Sequence, residues 1–347
     1  MTRKLRARPP RERGPGGRPP ARHKLVRRKP PGARPPAQNL RPPARAVRRR
    51  RRPQRRGGRG RSFFVVSLLI LIFALVYFFF GDRLFPGGAV MPGEGEIIVS
   101  FLDVGQGDSI LLRSDSHTIL IDGGDHRARN VVMSYLRDAG IRRLDYVVAT
   151  HPHSDHIGGL VTVLGRVEVG RVIMPEVTHT TETFLNFLSA IENNDIPVTF
   201  PSPGDSVRAG IIDLTVIAPP PGGGHGSNLN NASIVLRLSH GRTSFLFTGD
   251  AERESEIQML TGGMTLRSDV LKVGHHGSQT STTEAFLSAV NPSIAVIQVG
   301  ENNQFGHPHR EVTDRLAAHG ITIYRTDHDG TVTMITNGRE IFFPDSE

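Results

Sequence analysis

Residues 150–159 read Thr-His-Pro-His-Ser-Asp-His-Ile-Gly-Gly, which sets three imidazoles and a carboxylate within six positions. The segment follows the apolar run LDYVVA, so it lies on the loop where a strand ends. In an extended loop residues i and i+2 point the same way, which puts His151 and His153 on one side of an ion. Asp155 and His156 fall where the backbone should turn into a helix, and from there their side chains swing toward a second ion. Nitrogen and oxygen donors in this mixture suit Zn²⁺ or Mn²⁺. A polar loop of solvated histidines is the bland alternative, and the density of donors argues against it.

The segment HPHSDHIGG resembles the His-x-His-x-Asp-His signature of the metallo-β-lactamase fold. Upstream, FLDVGQGDS (101–109) and ILIDGG (119–124) look like that fold's opening strands. Downstream, Asn231-Ala232-Ser233, Thr248-Gly249-Asp250, KVGHHGS (272–278) and FGHP (305–308) resemble the lactamase-like domain of the ComEC competence family. The motifs occur in that family's order and cover about residues 96–340. Taken together they are specific, whereas TGD or GQGD alone would be weak.

The resemblance implies an α/β fold, the metallo-β-lactamase αββα sandwich, holding two divalent metal ions, Zn²⁺ or Mn²⁺. It implies that His151 and His153 hold the first ion, that Asp155 and a histidine of the HHGS pair hold the second, and that Asp250 bridges both. His276 is preferred as that ligand and His275 is left to meet a phosphate or leaving group, although the reverse assignment stays open. His156 completes the site, and Asp122 orients the His-rich loop as an acceptor. Asp250 also reads as a helix N-cap ahead of AERESE. Many members of the fold add a third histidine to the first ion; of His179, His225 and His240, only His225, in GGGHGSNLNN, sits in a plausible loop. Without it, water fills that position. Gln106, Asp108, Asn231, Ser278 and His307 are candidates to stand behind the ligands or to line the substrate pocket. GQGDS reads equally as a tight turn, and His307 as a surface histidine.

Such a site needs no nucleophilic side chain. Two cations ~3.5–4 Å apart lower the pKa of a bridging water and neutralise charge gathering in the transition state. Imidazole titrates near neutrality, so His275 or His307 is placed to protonate the departing oxygen. Other chemistries fall away. No P-loop pattern occurs, the chain beyond residue 62 has one lysine (Lys272), and the usual serine-hydrolase motifs are absent. With no cysteine there is no disulfide scaffold, thiolate metal site or thiol nucleophile.

The elements that must position these residues are legible as apolar runs. Strand candidates include Ile97–Leu102, Thr118–Ile121, Tyr146–Ala149, Ile211–Ile217, Ser244–Phe247, Val270–Val273 and Thr331–Ile335. Helical spacing is clearest at Phe184, Phe187, Leu188 and Ile191 behind Thr180–Thr181 as caps, and at Asn130–Asp138 ended by Gly140. Several strands arrive in succession without helices between them, which favours two sheets with helices outside. Strand-then-histidine junctions at residues 144–156 and 268–276 hint at a duplicated half.

The first 62 residues are of another kind. They carry 24 Lys+Arg against one acid, Glu12, a formal +23, and 12 of the 25 prolines. The remainder has 19 basic and 32 acidic residues, or −13. An Arg/Pro-rich tail of this composition cannot repay its ordering entropy and is expected to be disordered. Residues 63–80, FFVVSLLILIFALVYFFF, run 18 positions without a charge. As a helix they reach about 27 Å, enough for one transmembrane pass. A long basic flank and the lack of a small-x-small cleavage site favour an anchor over a cleaved signal. The Lys/Arg excess places the tail in the cytoplasm, and residues 81–95 link to an extracytoplasmic hydrolase domain at 96–347. The tail is also expected to hold anionic lipid headgroups, with nucleic-acid binding as the rival use of its arginines.

ComEC-like domains are associated with cleavage of DNA phosphodiesters, so a membrane-anchored nuclease is the first expectation, with a separate membrane channel protein as a partner. The −13 body complicates extended contact with a polyanion. A phosphodiester of the cell envelope, or a small phosphate ester, is the alternative substrate. A non-catalytic anchored binding protein acting through its tail is the reading of another class.

Overall fold

The computed structural model describes residues 90–220 and 227–344, with Ser67 and Leu71 as isolated positions. The expected tail at 1–62, the span at 63–80 but for those two positions, most of the linker and His225 lie outside the described residues. Among the described residues no helix is long and apolar enough to cross a membrane.

The chain opens with an antiparallel meander of β1 (Ile97–Phe101), β2 (Ile110–Arg113) and β3 (Thr118–Ile121). Helix α1 (Arg129–Asp138) then crosses over, and β4 (Arg143–Leu144) leads into β5 (Tyr146–Val148), parallel to β3. Short helices α2 (Ser154–Ile157) and α3 (Leu160–Leu164) precede β6 (Glu168–Val169), which pairs with β4, and β7 (Val172–Ile173). After α4 (Glu182–Asn193) comes β8 (Val198–Thr199), parallel to β7.

The second half repeats this plan. An antiparallel run of β9 (Ser206–Ala209), β10 (Ile212–Ala218), β11 (Val235–His240) and β12 (Thr243–Phe247) comes first. Three parallel strands follow, β13 (Val270–Lys272), β14 (Ile294–Ile297) and β15 (Thr322–Arg325), reached through α5 (Arg253–Thr261), α6 (Glu284–Val290) and α7 (Arg310–Ala318). After the short α8 (Thr326–Asp329), β16 (Val332–Thr336) returns to pair with β1, and β17 (Ile341–Phe342) closes that edge.

Burial resolves four layers. Along β2, Ile110 and Leu112 face the opposite sheet while Leu111 faces the helices, the period-two pattern of a strand covered on both sides. Ile110, Leu112 and Phe101 meet Leu236, Phe245 and Phe247 between the sheets. Leu111, Leu120 and Val147 pack on Val132, Leu136, Phe184 and Phe187 of α1 and α4. Leu246, Leu271 and Ala295 pack on Met259, Phe286, Leu287 and Val312 of α5–α7. This is the helix-sheet-sheet-helix order expected from the motifs. The Phe101 and Phe247 rings lie 6.1 Å apart across the inter-sheet core. Truncating either to alanine should cost about 3–5 kcal/mol.

Parallel strands require a crossover, and each crossover here is a helix on the outer face. The carboxyl ends of β5, β12 and β13 therefore carry loops rather than hairpins. In parallel sheets that is where functional groups collect.

Candidate metal centre

The first half delivers its donors from the end of β5. Thr150 donates its backbone N–H to Asp122 Oδ1 (2.8 Å) and its hydroxyl to Asp122 Oδ2 (2.7 Å), which pins the loop to the end of β3. His156 Nδ1 donates to the same Oδ2 at 2.7 Å, leaving its Nε2 for the site. Helix α2 starts directly after His153. Its close approach depends on glycine: a Cβ on Gly107 would stand 2.2 Å from the Asp155 carbonyl oxygen, and one on Gly159 1.9 Å from that of Gly123. The GQGD and HPHSDHIGG loops thus lie backbone to backbone. The tight-turn reading of GQGDS also holds, with Gly105 and Gly107 at φ 72° and 136°.

The second half delivers Asp250 after β12 and His275–His276 after β13. Both histidines are left-handed, at φ 48° and 54°, a conformation costing a non-glycine residue roughly 1–2 kcal/mol. His276 Nδ1 donates to the Gln298 carbonyl at 2.9 Å. Its Nε2 then lies 3.3 Å from Asp155 Oδ2 and 3.6 Å from Asp250 Oδ2. His275 stands to one side of the cluster: Nδ1 meets Glu252 Oε1 at 2.9 Å and Nε2 stands 3.8 Å from Asp250 Oδ2.

Asp155, His156, Asp250 and His276 each turn one donor atom inward, all within 4.8 Å of one another. His151 lies beside them, its Nε2 3.0 Å from His153 Nδ1 and 3.7 Å from Asp250 Oδ2. The structure brings together all six residues named from the sequence as ligands, from loops up to 125 positions apart. Among the described residues, His156 Nε2, His276 Nε2 and Asp250 Oδ1 are buried without a hydrogen-bond partner. Orphans are costly, so a cluster of them calls for something to bind. The donor set of imidazole nitrogens and carboxylate oxygens fits borderline divalent cations.

Electrostatics agree. Burial opposes charge on His276, yet the Asp250 and Asp108 carboxylates outweigh it and pull the imidazole up to about 10. His156 is likewise raised, against burial, by Asp250 and Asp122. His151 goes the other way, held well below its ordinary value by burial and by His156. The carboxylates thus draw positive charge into the site, which bound divalent ions would also supply.

Other expectations fare differently. Asp250 is not a helix N-cap: Glu252 stands at the N-cap of α5, and Asp250 instead donates its backbone N–H to Ser233 Oγ at 3.0 Å. Asn231 is buried. Its Oδ1 accepts from the Glu252 and Ser255 N–H groups (3.0 and 3.3 Å), so it caps α5 from a distance. Ser278 Oγ bonds Thr280 Oγ1 at 2.9 Å within the turn after His276. Gln106 Oε1 accepts from Gly300 N at 3.2 Å. Asp108 is buried behind His276, paired with Lys272 and 3.3 Å from His276 Nδ1. His307 is half-buried beside His275, ring centres 5.4 Å apart. Burial and the neighbouring imidazoles of His275 and His276 hold it down to about 4.

Of the histidines weighed as a further ligand, His240 ends β11 beside Thr336, away from the site. Among the described residues, His179, passed over in the sequence, approaches the site, its ring centre 6.0 Å from that of His153. Glu252, Lys272 and the Gln298 carbonyl also escaped sequence reasoning. The only signal for Lys272 was its solitude.

The family model described as "Metallo-beta-lactamase superfamily" matches residues 102–301. The chain belongs to the metallo-β-lactamase superfamily. Within it, this member is 32% identical over 263 residues to ComE operon protein 3 of Bacillus subtilis (strain 168), covering 70% of this chain and 33% of that protein. It is 35% identical over 248 residues to competence protein ComA of Neisseria gonorrhoeae, covering 69% and 32%. The chain thus spans about a third of the length of these curated relatives. Among solved structures, the metallo-beta-lactamase fold protein YhfI from Bacillus subtilis aligns over 70% of this chain and 100% of that one, with TM-score 0.48 and 12% identity.

Proposed function

We propose that this superfamily member is a binuclear metal-dependent phosphodiesterase, acting on DNA in the manner that the resemblance to ComEC implies, anchored by residues 63–80 with its body outside the cytoplasm. The observation that carries the reading is the inward-facing set of Asp155, His156, Asp250 and His276, with orphaned atoms and His151 and His153 alongside. His151, His153 and Asp250 would hold one ion; Asp155, His276 and Asp250 the other, with His156 completing the set. Bound there, divalent ions supply positive charge against a phosphoryl transition state and make water acidic enough to attack at neutral pH. The chain's own residues do the rest. Asp250 sets the distance between the two ligand groups. Glu252 fixes the His275 ring so that its Nε2 faces the site, where it can pass a proton to the leaving oxygen.

The −13 charge of residues 63–347 favours a substrate gripped at few phosphates. It equally supports a cell-envelope phosphodiester or small phosphate ester, the second reading. The basic tail would meet anionic lipid headgroups, and a separate channel protein would supply the conduit.

Full-length chain purified in detergent should release nitrophenol from bis(p-nitrophenyl) phosphate when given Mn²⁺ or Zn²⁺. Asp250→Asn should abolish release; an unchanged rate would overturn the enzymatic reading in favour of a binding protein. Parallel incubation with end-labelled single- and double-stranded DNA and with an envelope phosphodiester separates the two substrate classes. Protease added to intact cells should reach the body and spare the tail.

A further inference from the structure

Lys272 is the single lysine beyond residue 29, and it is 0% exposed at the end of β13. An ammonium is expensive to bury, and a hydrophobic residue of similar size would do better if packing were the only need. Its contacts tie three site-bearing segments together. Nζ pairs with Oδ2 of Asp108 in the GQGD loop and donates to the Gly249 carbonyl at 3.1 Å, one residue before Asp250. Lys272 itself lies four residues ahead of His276.

Asp108 has a second association. With Asp122 and His156 it forms another group whose donor atoms all lie within 4.8 Å, wholly buried, adjoining the candidate ligand set through the shared His156. The Asp108 oxygen that bonds Lys272 is the one 3.9 Å from His156 Nδ1. A cation is therefore already present at this second cluster, and it is covalently part of the chain.

We propose that the Lys272 ammonium is a built-in substitute for a metal ion: a positioning residue that keeps Asp108 as an ion-pair acceptor and bars an additional divalent cation from the Asp108–Asp122–His156 group. Electrostatically the two occupants compete for the same carboxylate oxygen. Lys272 delivers its charge at fixed stoichiometry, leaving His156 free to turn its Nε2 to the main site. This rests on the metal-centre reading above, and the test separates the two.

Full-length wild type, Lys272→Ala and Lys272→Ala/Asp108→Asn are equilibrated with Mn²⁺, dialysed, and the bound metal counted by native mass spectrometry and elemental analysis. The expected result is one more ion per chain in Lys272→Ala than in wild type, and the wild-type count in the double variant. Equal counts in wild type and Lys272→Ala would overturn the inference, as would an extra ion that persists without Asp108. Wild type binding no ions would instead sink the metal-centre reading. Should Lys272→Ala fail to fold metal-free, refolding in Mn²⁺ decides: recovery of Lys272→Ala but not of the double variant supports the substitution, and equal recovery of both, or of neither, refutes it.

Discussion

The Nδ1 of His275 and the Oε1 of Glu252 meet at 2.9 Å, and the two residues belong to loops that follow neighbouring parallel strands, β13 and β12. Glu252 also accepts from Asn228 (2.8 Å) and Asn230 (2.9 Å), so its carboxylate is fixed before it fixes the imidazole. The ring is held with Nε2 toward Asp250, beside the ligands but not among them. His275→Ala should therefore lower kcat on a phosphodiester by roughly 10²–10⁴ with little change in KM, the range for loss of a general acid. Glu252→Gln should lower it less. Steady-state kinetics on a phosphodiester with an unactivated alkoxide leaving group check both; a change confined to a rise in KM would assign the pair to binding.

Asp122 touches no inward-facing donor atom, yet it takes hydrogen bonds from Thr150 and His156. Asparagine there cannot accept all three with the same strength. Partners of this kind typically carry 10–100-fold in metal affinity. Asp122→Asn should weaken Mn²⁺ binding by about that factor in calorimetric titration while leaving circular dichroism unchanged.

Glu256 supplies a pH test on a residue that is not among the candidate metal ligands. It is buried on α5 and accepts from the Thr282 and Thr283 N–H groups, the latter at 2.9 Å. Burial raises its carboxyl above the ordinary 4.5, an effect that outweighs these hydrogen bonds. The folded state thus holds this proton more tightly than the unfolded chain. Its stabilisation is full below pH 4.5 and is lost as pH rises through the folded value. Measured by denaturant unfolding, the stability advantage of wild type over Glu256→Gln should shrink between pH 4 and pH 7. A constant or widening difference would contradict the assignment.

Phe305 stands at the rim with 52% of its surface exposed, its ring stacked on His307 at 5.7 Å. The loop beneath is held by Asn303, whose Oδ1 accepts from Phe305 N (3.1 Å) and His307 N (3.0 Å). An exposed ring on a fixed loop costs little to order against a base, and such stacking is worth ≈ 1–3 kcal/mol. If DNA is the substrate, Phe305→Ala should raise KM for a single-stranded oligonucleotide at least fivefold. kcat should hold, and so should KM for a phosphodiester without aromatic groups.

The metal-ligand candidates were readable because they sit in short local patterns, and the strands because their apolar runs are long. What escaped depends on which strands lie side by side. Lys272 meets Gly249 only because β13 runs parallel to β12, and His276 finds the Gln298 carbonyl only because β14 lies beyond β13. Asn231 stood out in Asn-Ala-Ser, but nothing local marked the helix start 21 positions away that it serves. Strand β9 was missed because Ser206–Ala209 offers just two inward side chains, Val207 and Ala209, between Pro/Gly turns.

His151–His156 hang from one sheet, Asp250 and His276 from the other. Any ion shared among them is a rivet through the seam of the sandwich. Its binding energy would then count toward holding the halves together, rising with free ion concentration as mass action requires. A chelator should therefore loosen the molecule as well as silence it, with amide exchange quickening first at the carboxyl ends of β5, β12 and β13.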